Sequence, residues 1–150
     1  MTRTLIIGIG NPLRGDDGLG WRAVEALRQM VSLKEVEILT CHQLTPEIAE
    51  SVSRAEYVIF IDACVGSPPG EIRVNRITAD SSSDSCFTHR LDPLGLTRYC
   101  RKLYGTWPEA WTISMTGASY DYSESLSAAV ESQLPALVDL AAKAAAQRPE

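Results

Sequence analysis

"LIIGIGNPLRGDDGLGWRAVEAL", residues 5–27, enters on an apolar run and leaves on a helical pattern, with adjacent carboxylates Asp16 and Asp17 fenced by glycines between them. Residues 4–10 read as a buried strand. Residues 19–31 place Ala23, Leu27 and Val31 on one stripe, the mark of an amphipathic helix. The unit then repeats. "EVEILT" (35–40) alternates like a second strand, "TPEIAESVSRA" (45–55) opens with a Thr-Pro helix start, and "EYVIFIDA" (56–63) is a β-rich apolar run. This βαβαβ order predicts an α/β protein with a parallel, doubly wound sheet.

The link "CVGSPPG" (64–70) is too short to hold a crossover helix, so "EIRVNRI" (71–77) is expected as an antiparallel or edge strand. "TADSSSDSCFT" (78–88) is Ser-rich and polar, and is expected to be a mobile loop. Asp92-Pro93 reads as an N-cap followed by proline at the first helical position, starting a helix to about residue 104. "AWTISMT" (110–116) supplies a last strand, and an Ala-rich stretch over 127–147 a last helix that Pro135 is expected to kink. The expectation is one domain over residues 1–150: a mostly parallel, twisted five-stranded sheet between helices, with one edge strand antiparallel.

Charge and composition narrow the function. A net charge of −5 without any Lys/Arg block argues against a nucleic-acid partner. The apolar run at 5–10 stops at Asn11 and Pro12, too short for a membrane span or a signal-peptide core, which reads as a cytoplasmic protein with no membrane association. Cys41, Cys64, Cys86 and Cys100 are scattered with no CxxC, so reduced thiols are expected rather than a zinc knuckle.

In open α/β sheets, ligands bind beyond the carboxyl ends of the strands, where loops converge. The glycines after the first strand do not fit G-x-G-x-x-G, because Leu13 stands where the third glycine belongs, and paired carboxylates repel a pyrophosphate. Carboxylate oxygens held in a glycine bend suit a divalent cation instead. Asp62 ends a strand made of Val58, Ile59, Phe60 and Ile61, where an ionised group is costly unless it is paired or binds metal. His89 precedes a helix, beyond the Ser-rich loop. If that loop folds over the sheet edge, Asp17, Asp62 and His89 converge as a donor set suited to zinc, nickel, iron or manganese. Ordinary roles stand beside this one: Asp16 or Asp17 as a helix cap, Asp62 as a turn residue, His89 and His42 as surface histidines.

"GIGNPLRGDDGLG" (8–20), "FIDA" (60–63), "THRL" (88–91) and "TGASYDYSESLSAAV" (116–130) together, in this order along nearly the whole chain, resemble the hydrogenase maturation proteases. These endopeptidases finish the large subunit of NiFe-hydrogenases. The resemblance implies a twisted sheet between helices and a partner, the hydrogenase large-subunit precursor already loaded with nickel, from which one cut removes a short C-terminal extension. It places the family's metal-contacting trio on Asp17, Asp62 and His89, with nickel supplied by the substrate. The ion would polarise the scissile carbonyl or activate a water, with Asp17 at the ion and Asp16 as a carboxylate to take a proton.

The sequence also departs from the family. Many relatives carry Glu where Asp17 stands, and "CHQLTPE" (41–47) replaces an acidic residue and glycines. His42 and Glu47 therefore bear on the site or its substrate preference but are not assigned as ligands. Two rival functions stand beside the protease: a metal-dependent module that binds the precursor without cutting it, and a nucleotide-binding α/β enzyme, which the glycine spacing disfavours. A monomer is expected, because the partner is a large folded protein.

Overall fold

The computed structural model describes residues 2–30, 35–78 and 91–146. Its strands are β1 (Thr2–Ile9), β2 (Val36–Cys41), β3 (Ala55–Cys64), β4 (Ile72–Ile77) and β5 (Glu109–Thr116), and its helices α1 (Leu19–Met30), α2 (Ala49–Ser53), α3 (Pro93–Tyr104) and α4 (Ala128–Ala146). The sheet runs β2-β1-β3-β5-β4. β1 pairs in parallel with β2 and β3, and β3 with β5, while β4 runs antiparallel to β5 from Ile72↔Met115 to Ile77↔Ala110. The expected mixed sheet is therefore present, with its antiparallel strand at one edge.

Two-residue alternation along buried strands splits the interior into two cores. Ile6, Ile38, Ile59, Ile61, Ile113 and Met115 face α1 and α4; Leu5, Ile7, Ile9, Val58, Phe60 and Ala110 face α2 and α3. Along α1, Leu19, Ala23, Val24 and Leu27 are buried at helical spacing, so one stripe pays the ordering entropy of the whole element. Val31, expected on that stripe, lies outside the described residues.

From β1 the chain moves outward to β2, then reverses and crosses behind β1 to reach β3. Crossovers of fixed hand in opposite directions lie on opposite faces, which explains why α1 and α2 lie in different cores. The loops after β1 and β3 thus diverge and leave a crevice at the carboxyl edge.

The helix expected over 45–55 is shorter and divided. Extended backbone at Thr45, the residue before Pro46, leads into a 3-10 turn at Pro46–Ile48, and only Ala49–Ser53 is α-helical. Asp92 caps α3 as expected, its Oδ1 accepting from Gly95 N at 2.7 Å, and Gly105 ends that helix at φ 72°. α4 runs on through Pro135. Cys41, Cys64 and Cys100 are free thiols. Cys86, His89 and all of the Ser-rich stretch beyond Thr78 lie outside the described residues. Among the described residues, no helix is long and apolar enough to cross a membrane.

Candidate active site

At the end of β1 the backbone folds back on itself. Gly10 has φ 137°, and a Cβ there would lie 1.9 Å from the Asp17 carbonyl oxygen, so no side chain fits. Gly20 allows α1 equally close approach, because a Cβ would stand 2.6 Å from the Ile61 carbonyl oxygen and 2.8 Å from that of Ile9. The 3-10 turn Gly15–Gly18 is thereby pressed over the gap between β1 and β3. Asp17 Oδ2 accepts from Asn11 N at 2.8 Å, and Asn11 Oδ1 from Leu13 N at 2.9 Å, so Asn11 shapes the turn.

The adjacent carboxylates have different surroundings. Asp16 is fully buried and both its oxygens are engaged: Oδ2 accepts from Ala118 N (2.7 Å), Ser119 N (3.1 Å) and Ser127 Oγ (2.8 Å), and Oδ1 from Ser127 N (2.7 Å). Burial alone would raise its pKa; the donors on Ser127, Ala118 and Ser119 outweigh that and hold the carboxyl below its ordinary value. The turn is further joined to the loop after β5 by Asp16 N to Ser119 O (2.9 Å), Gly15 N to Ser123 O (2.9 Å) and Ser123 N to Leu13 O (2.9 Å). Asp16 is thus an anionic clamp between the turn, that loop and the start of α4. Asp17 is only half-buried, and its Oδ2 bonds within the turn, to Asn11 N.

Asp62 follows Ile61, which pairs with Gly8 of β1, and is 5% exposed at the carboxyl end of β3. Its Oδ1 accepts from Ala63 N at 2.7 Å, and Asp62 pairs with Ser114 within the sheet, so it is a strand residue and not the turn residue also considered. Alternation after Val58 and Phe60 directs it to the α2/α3 face. On the same side, burial and then the Asp62 charge push the Cys41 thiol up to about 11. α3 returns the chain from the carboxyl edge to β5, so its capped start and Leu91, which packs into the α2/α3 core, stand at that edge. His89 itself lies outside the described residues, and among those described no group of three or more His, Cys, Asp and Glu is arranged to hold a metal ion. Asp17, in the turn after β1, and Asp62, near the carboxyl end of β3, are carboxylates of the type that could hold a hard or borderline divalent ion.

His42 is exposed and its ring lies against Trp21, centroids 5.4 Å apart. Glu47 is also exposed, its carboxyl held low by a hydrogen bond from the Thr45 side chain. Pro12, Leu13, Trp21, Arg28 and Thr40 help to line an open groove of about 470 Å³ beside the turn. Sequence reasoning missed the work done by residues 117–127. Ser127, just ahead of an Ala-rich helix, carried an N-cap signal, but nothing local disclosed that its partner is Asp16.

Fold and site define a doubly wound α/β protein with an acidic turn over its switch point. The chain is 32% identical over 118 residues to the hydrogenase 2 maturation protease of Escherichia coli K12, an alignment spanning 74% of this chain and 70% of that protein. It belongs to the hydrogenase maturation protease family. A further match, 38% identical over 71 residues, is to the hydrogenase expression/formation protein HupD of Thiocapsa roseopersicina, covering 46% of this chain and 32% of that one. Among solved structures, the E. coli maturating endopeptidase HybD superimposes with TM-score 0.78 at 25% identity, over 97% of this chain and 94% of that one. The maturation protease HycI of Thermococcus kodakarensis gives 0.79 at 26% identity, over 97% and 94%. No family model matches.

Proposed function

We propose that this chain is an endopeptidase that removes the C-terminal extension of a hydrogenase large-subunit precursor already carrying nickel, and that Asp17, Asp62 and His89 recognise the ion. The observation that supports the reading is that Asp17 lies in the turn that follows β1 and Asp62 near the carboxyl end of β3, the strand that pairs with β1 in parallel. Nickel is part of the substrate here. Two carboxylates and an imidazole would complete its shell, so an empty precursor would lack the group that the site grips. With the ion so held, the nearby scissile carbonyl is polarised or a water activated, worth several kcal/mol to the transition state. Asp17 acts at the ion. Asp16, with both oxygens engaged, positions the turn. The open groove beside the turn offers a path for the tail. On this reading the protein works in the cytoplasm, as a single copy against one folded partner.

The test follows tail release by mass spectrometry, with purified protein and precursor either nickel-loaded or nickel-free. Release from the loaded form alone, at least about a hundredfold faster, is expected. Equal cleavage of both forms would remove the nickel-recognition role, and binding without release would make the chain a non-cleaving module.

A further inference from the structure

We propose that Tyr120 is a positioning residue for this reaction, a strut that fixes the spacing between the turn carrying Asp17 and the strand end carrying Asp62. The inference rests on the endopeptidase reading for its effect on rate, but not for its geometry. Tyr120 Oη donates to the Cys64 carbonyl at 2.8 Å, two residues beyond Asp62. Its own main-chain carbonyl accepts from Arg14 Nε at 3.3 Å, three residues before Asp17. The preceding residue, Ser119, accepts from Asp16 N at 2.9 Å. One residue therefore touches both carboxylate-bearing segments, by side chain on one side and by main chain on the other.

The room for this strut is built in. A Cβ at Gly117 would lie 2.5 Å from Tyr120 Oη and 2.8 Å from Cζ, so glycine is what lets the ring lie against the loop. Gly117 N also donates to the Cys64 carbonyl, at 3.1 Å, so the same oxygen anchors the loop at both ends. Burial first, with the neighbouring acidic groups, pushes the phenol up to about 12, so it stays a donor at working pH. Because its proton is directed at Cys64, Tyr120 acts through the scaffold and not on the substrate. An ion bridging two carboxylates tolerates little drift in their spacing, and a displacement of about 1 Å costs about a hundredfold in rate.

Tyr120→Phe keeps the ring against Gly117 and deletes only the bond to Cys64. With nickel-loaded precursor, kcat is expected to fall about tenfold with KM within about twofold and Tm within a few degrees. Gly117→Ala, which displaces the ring, should lower kcat further, while Tyr99→Phe on α3 leaves it unchanged. Amide hydrogen exchange on the free protein should quicken in Tyr120→Phe in both segments, 14–18 and 62–66, and stay unchanged in β2. An unchanged kcat, a fall no larger than the loss of folded protein, or faster exchange confined to 117–121 overturns the strut. Should wild-type protein fail to cut any precursor, the endopeptidase reading falls, and the exchange result alone decides for or against the strut.

Discussion

The two faces of the sheet treat the carboxyl edge in opposite ways. On the α1/α4 side Asp16 is fully buried, accepts four hydrogen bonds and locks the turn to the loop after β5 and to the start of α4. On the α2/α3 side it carries Asp62 at a strand end, the Cys41 thiol beside it, and the start of α3. Asp16 and Asp17 are adjacent in sequence yet differ in surroundings, the first fully buried with four donors, the second half-buried and bonded to Asn11 N. A carboxylate can be costly to bury and still appear twice in one turn, because one copy is compensated by fixed donors and the other keeps part of its surface in solvent.

The sharpest way to break this contrast is to remove the crevice carboxylates. Asp17→Ala and Asp62→Ala should each cut processing by at least about 10⁴-fold, with the Tm of Asp17→Ala within a few degrees of wild type. Tail release and thermal unfolding, measured on the same samples, check both halves of that statement. Asp16→Ala should do the reverse of Asp17→Ala in emphasis, costing about 1–3 kcal/mol of stability by leaving four part-buried donors without their acceptor. Denaturant unfolding measures it.

The same clamp has a pH signature. Its folded pKa lies below the ordinary carboxylate value near 3.8. Its contribution is therefore complete above that value and disappears as pH falls through the folded pKa. The stability gap between wild type and Asp16→Asn should accordingly be level from neutral pH to about 5 and narrow below about 4. A gap that widens in acid would mean that the carboxylate is not the stabilising species.

Gly10→Ala tests the hinge between the two sides. Strain at φ 137° and collision with the Asp17 carbonyl should cost about 1–3 kcal/mol and displace the turn, lowering cleavage as well as Tm. The smallest effect belongs to His42, which is exposed, its ring tilted against that of Trp21. His42→Ala should leave stability within about 1 kcal/mol and processing within about threefold. A large loss there would enlarge the site beyond the acidic pair.

Periodicity carried most of the fold. The apolar runs of β1 and β3, the stripe of α1 and the Asp92-Pro93 start of α3 are local signals read without any partner. The short link before β4 even gave its antiparallel sense. The divided helix after Thr45 escaped, because a proline start does not distinguish a 3-10 turn from an α-helix. The site was legible only in part. Asp17 and Asp62 could be placed at one edge from strand order, whereas the bonds of Asp16 reach 102, 103 and 111 residues along the chain, and that of Tyr120 reaches 56. Such contacts are fixed by tertiary packing and leave no period in the sequence. They explain why Asp16 read as a helix cap or a base and is found as a clamp.

On the proposed reading, Asp17 and Asp62 grip an ion brought by another protein. X-ray absorption at the nickel edge tests it most directly, comparing a nickel-loaded precursor with a blocked scissile bond alone and in complex with this chain. The account predicts added oxygen and nitrogen neighbours at about 2.0–2.2 Å in the wild-type complex, with oxygen lost in Asp17→Ala or Asp62→Ala. A nickel shell identical with and without the bound protein would contradict it.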